Sequence, residues 1–114
     1  MELKTLDIFC EIIDNYGDIG VVYRIAKELQ KIFSQTKVRV FINRLEEFKK
    51  INSKAADLPF QKIDGIEYIT FDYVKENSIE LSTSQVIIEA FGCKIPEEYM
   101  DIAYENSDLL INLE

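Results

Sequence analysis

The chain has 114 residues, 47% hydrophobic and 30% charged, and its 21 acidic side chains outnumber 13 basic ones for a net charge of −8. That composition suits one domain with a real core and argues against disorder. No basic patch appears, so no nucleic-acid partner is expected, and an acidic surface favours basic partners.

The sequence has no His and 2 Cys, Cys10 and Cys93, both in apolar surroundings. They read as buried thiols in a reducing compartment rather than as a disulfide. A zinc site lacks both ligands and spacing, whereas a carboxylate-only magnesium site stays open on composition. The N-terminus is short and mixed, and no apolar run approaches about 18 residues, so the default expectation is a cytoplasmic protein away from the membrane.

In chain order, residues 5–13 read as a buried strand, apolar at Leu6, Ile8, Phe9, Cys10, Ile12 and Ile13. A polar turn follows at 14–18. Residues 19–33 form the clearest helix, with Ile19, Val22, Ile25, Ala26, Leu29, Ile32 and Phe33 on one face and Arg24, Lys27, Glu28 and Lys31 opposite. Residues 37–42 alternate as a second strand, and 45–51 form a short helix. Residues 54–65 are a polar connection with a short extended piece at 60–63. A third strand is expected at 66–71, an ambiguous polar segment at 72–84 and a fourth strand at 85–91. Pro96 starts a helix with Glu97 and Glu98 in its first turn, where the macrodipole favours acids. A fifth strand is expected at 108–113.

Strands alternating with helices predict an α/β fold, with a parallel sheet of order 3-2-1-4-5 and helices on both faces in three layers. Ligands of such sheets bind at the C-terminal strand ends beside the switch point, which places interest on the turn after the first strand. Gly17 and Gly20 around Asp18 resemble part of a phosphate loop, but the G-x-G-x-x-G fingerprint is absent. Asp18 would also repel a pyrophosphate at the helix entrance. It reads either as an N-cap or as a functional carboxylate in a cap-like position. Asp14 reads either as part of an Asx-rich turn or as the second of two carboxylates that suit a cation, gripping a guanidinium or taking a proton from a nucleophile. Glu89, after three buried β-branched residues, needs a partner and faces either the ligand cleft or a structural backbone group. Gly92 reads as a close-approach position or a plain turn, Arg24 as a solvated or ion-paired side chain rather than a site residue, and Tyr16 as a stacking surface or a packed turn aromatic.

"DIFCEIIDNYGDIGVVYRIAKEL" at 7–29, with its "DNYGDIG" core, resembles the opening of the bacterial arginine rhamnosyltransferases that mature translation elongation factor P, the EarP family. "VIIEAFGCKIP" at 86–96 resembles a second block of that family and "INLE" at 111–114 the start of a third. The resemblance implies a GT-B glycosyltransferase of two Rossmann-like domains. Such an enzyme transfers rhamnose from dTDP-β-L-rhamnose to an arginine of elongation factor P with inversion. It implies that Asp18 is the general base and that Asp14 orients or polarises the acceptor arginine. Asn15, Tyr16, Gly17 and Glu89 are substrate-binding candidates. No metal and no cofactor beyond the sugar donor is implied.

Members of that family continue well past the third block and hold the nucleotide sugar mainly in a C-terminal domain. Residues 1–114 are therefore expected to be an incomplete, acceptor-side N-terminal domain, from a longer protein or a truncated gene, inactive alone and with an uncovered sheet edge. Two other readings stand beside this one. The chain can be a non-catalytic module that retains only affinity for elongation factor P, or a flavodoxin-like or response-regulator-like domain, which shares the strand order but does not explain the three blocks.

Overall fold

The computed structural model describes residues 3–12, 17–77 and 82–113, with residues 17 and 18 described by their backbone alone. The elements are β1 (Thr5–Cys10), α1 (Gly17–Ile32), β2 (Lys37–Ile42), α2 (Leu45–Ile51), β3 (Phe60–Ile63), β4 (Ile66–Thr70), α3 (Phe71–Glu76), β5 (Val86–Ala90), α4 (Glu97–Asn106) and β6 (Leu109–Leu113). They build a sheet of order β3-β4-β2-β1-β5-β6. The expected five-strand order is preserved within it. One correction concerns the sheet, which is mixed rather than all parallel. β3 pairs antiparallel with β4, while the other pairings are parallel. The extended piece at 60–63 becomes a hairpin strand because Asp64 and Gly65 both take positive φ, 51° and 86°. That is the backbone of a two-residue primed turn, which matches strand twist.

Strand direction explains the layers. β1, β2 and β4 are laid down towards one edge, and the chain then returns to place β5 and β6 on the other side of β1. Crossovers of one hand must then switch faces. Ile19, Val22 and Ala26 of α1 and Phe48 of α2 join Leu6, Ile8, Val38, Val40, Tyr68 and Ile88 in one core. Phe71 and Val74 of α3 and Tyr99 and Ala103 of α4 join Phe9, Phe41, Ile69 and Ile87 in the other. Phe9 and Phe41, side by side in register, stack at 4.3 Å, and Tyr99 meets Phe9 edge-on at 4.6 Å.

Several expected boundaries move. β1 ends at Cys10 rather than at 13. Phe71 opens α3 instead of closing a strand, because the Thr70 hydroxyl accepts from the Tyr73 amide at 3.2 Å and caps a six-residue helix there. This helix lies in the segment left ambiguous from sequence, of which residues 78–81 are outside the described residues. α1 begins at Gly17, so Asp18 is its second residue and not an N-cap. At the other end, Ile32 and Phe33 are 67% and 41% exposed rather than on the buried face. Arg24 is exposed, as expected for a solvated side chain. β6 is an edge strand, and Leu109, Leu110 and Ile111 on it are exposed.

One buried polar cluster ties the layers together. Asp7 in β1 and Arg39 in β2 are register partners, and Arg39 grips Asp7 in a fork, Nε to Oδ1 at 2.7 Å and a terminal nitrogen to Oδ2 at 2.6 Å. That nitrogen also donates to the Ser82 carbonyl oxygen at 2.7 Å. The Tyr99 hydroxyl donates to Asp7 Oδ2 and accepts from the Ser84 amide. Burial opposes the charge on Arg39. The hydrogen bonds and charge of Asp7, then Tyr99 and Glu67, outweigh it and hold the guanidinium pKa above its ordinary value. Burial is also the main cause that raises the Tyr99 and Tyr68 hydroxyl pKa values, with Asp7 adding to the first and Tyr23 and Asp64 to the second.

A tyrosine whose folded pKa lies above its unfolded value stabilises the fold fully below the unfolded pKa and loses that contribution as pH rises. Unfolding free energy should therefore fall above about pH 10, by up to about 1.4 kcal/mol per pH unit for each of the two tyrosines. Urea titrations at stepped alkaline pH check this, and Tyr99→Phe should flatten the slope.

Candidate functional site at the C-terminal strand ends

The switch point lies between β1 and β5, where the order of the parallel strands reverses direction. Crevices of doubly wound sheets form there, outside the carboxyl ends of the strands. A cleft of about 400 Å³ opens at that edge, lined by Glu11, Phe71, Lys75, Lys94, Ile95, Pro96, Glu97 and Glu98. Glu11 follows β1, Phe71 and Lys75 come from α3, and the others come from the segment between β5 and α4. Phe71, Ile95 and Pro96 are buried and form the floor, while the charged side chains form the rim. Among the described residues, none of Glu11, Lys75, Lys94, Glu97 and Glu98 is in an ion pair.

The acidic stretch of the sequence, residues 14–18, follows β1, whose C-terminal end lies at this edge. Ile12, 1% exposed, is seated in the α1-side core just before it, and Ile19, 0% exposed, is seated in the same core just after it. Asp14, Asn15 and Tyr16 lie outside the described residues. Gly17 and Asp18 form the first two residues of α1. A carboxylate in a first helical turn is favoured by the positive end of the macrodipole. The sequence therefore places acid, not a phosphate-binding glycine cradle, at the entrance of α1.

Glu89 sits in β5, level with Phe9 in β1 and Asn112 in β6, and is half-buried. It is not among the residues that line the cleft; Glu11 is. Sequence reasoning passed over Glu11, although an acid directly after a buried strand in a sheet of this topology is the available signal. The turn after β5 holds Phe91 and Gly92 at positive φ, 54° and 70°, with the Cys93 amide bonding back to the Ala90 carbonyl oxygen at 3.1 Å. Open space surrounds the position of a Cβ at Gly92. Its backbone conformation, rather than close approach, is what asks for glycine.

Cys10 and Cys93 are both buried, and neither is in a disulfide. Burial first, and then the charges of Glu11, Cys10 and Glu89, push the Cys93 thiol up to about 12. It is therefore protonated and inert at neutral pH. Iodoacetamide at pH 8 should label Cys93 at least about tenfold more slowly in the folded protein than in urea, as read by mass spectrometry of the peptide. Among the described residues, no group of three or more His, Cys, Asp or Glu side chains could hold a metal ion. No helix among them is long and apolar enough to cross a membrane.

These features define a doubly wound α/β domain with an acidic entrance at its switch point. The model of the family described as Elongation-Factor P (EF-P) rhamnosyltransferase EarP matches residues 6–114, and the chain belongs to that family. A protein-arginine rhamnosyltransferase of Pseudomonas aeruginosa is 34% identical over 98% of this chain and 30% of its own length. Proteins of the same name from Shewanella oneidensis and Pseudomonas putida are 34% and 32% identical over 81% and 96% of the chain. The chain thus spans less than a third of these relatives, covering 23% and 29% of the latter two.

Proposed function

We propose that this chain is the acceptor-side part of an inverting protein-arginine rhamnosyltransferase of GT-B architecture. The acceptor is an arginine of elongation factor P, the donor is dTDP-β-L-rhamnose, and the setting is the cytoplasm. The observation that carries this reading is the match of residues 6–114 to the EarP family, whose DNYGDIG stretch here follows directly on the strand that flanks the switch point. Names of the matched relatives support the arginine acceptor and the sugar.

The chemistry suits the residues. A protonated guanidinium is a poor nucleophile, because its lone pairs are delocalised and its pKa exceeds about 12. In this reading Asp14 grips the guanidinium N–H groups and localises its charge. A guanidino nitrogen attacks the anomeric carbon, the bond to the dTDP oxygen breaks, and the nitrogen's proton passes to Asp18. Asn15, Tyr16 and Gly17 complete the acceptor contacts. Glu89 keeps its proposed place as a substrate-binding candidate, with Glu11 the better situated acid for a neighbouring acceptor residue. The phosphates of the donor are left to a C-terminal domain beyond this sequence.

The test is to express the polypeptide encoded by the complete reading frame containing this chain. It is incubated with elongation factor P and dTDP-β-L-rhamnose, and the acceptor arginine is read by mass spectrometry. Transfer with inversion supports the proposal. Binding of elongation factor P without transfer supports the non-catalytic module instead.

A further inference from the structure

We draw no further inference here: the strongest candidate, the exposed apolar edge that Leu109, Leu110 and Ile111 of β6 form beside the groove lined by Met100, Ala103 and Tyr104 of α4, carries nothing because nothing in the structure shows what covers it.

Discussion

Asp18→Asn should lower kcat for rhamnosyl transfer by about 10² to 10⁴-fold, the range a positioned general base contributes, while the fold survives. The second half of that expectation comes from where Asp18 sits. α1 starts at Gly17, so Asp18 is inside the first turn. A carboxylate there interacts favourably with the helix dipole, typically by about 0.3–1 kcal/mol, and the neutral amide forfeits no more than that. The substitution thus separates two roles that share one position. If Asp18 only seats the helix, Asn costs under about 1 kcal/mol of stability and leaves the rate near wild type. If it takes the proton from the acceptor guanidinium, stability barely moves and kcat collapses. Steady-state kinetics and a melting curve on the same preparation decide. A near-wild-type rate would sink the general-base assignment. Asp14→Asn should also be severe, through kcat and acceptor KM together, because its proposed grip on the guanidinium is made before and during the reaction.

The parts of this molecule that could be read along the chain are those whose signals are local and long. Ile19, Val22 and Ala26 repeat at helical spacing through α1, and the apolar runs of β1, β2 and β5 leave little choice but buried strands. Alternation of those elements then restricts the sheet to very few orders, which is why the five parallel strands fall where expected. What escaped was short or non-local. α3 is six residues long and is set by one hydroxyl cap, which carries too little periodicity to announce a helix. β3 becomes a strand because the turn at Asp64 and Gly65 folds it onto β4, not because of its own pattern. The acidic turn stood out because two carboxylates lie four residues apart. Glu11 did not, because its significance comes from what the fold places beside it from distant parts of the chain.

The same non-locality governs the change expected to harm the fold most. Asp7 and Arg39 are 32 residues apart, and each looks like an interruption in an otherwise apolar strand. Register brings them side by side with side-chain exposures of 0% and 7%. Arg39→Ala should destabilise the protein by about 3–5 kcal/mol, because it strands a buried carboxylate without its counter-charge. Arg39→Lys should recover only part of the loss, since an ammonium cannot make the two parallel bonds of the fork or keep the Ser82 carbonyl as well. The double variant Asp7→Leu with Arg39→Met should be less destabilised than either single loss, because it leaves no uncompensated charge in the core. Urea unfolding of the three variants checks this ordering. A double variant worse than Arg39→Ala would mean that the pair contributes net stability rather than specificity. The consequence reaches the cleft through Tyr99, which binds Asp7 from the first turn of α4, the helix whose Glu97 and Glu98 form part of the rim. Loosening Asp7 should release that helix end before the rest of the sheet, so amide exchange in α4 should accelerate ahead of β1 and β2.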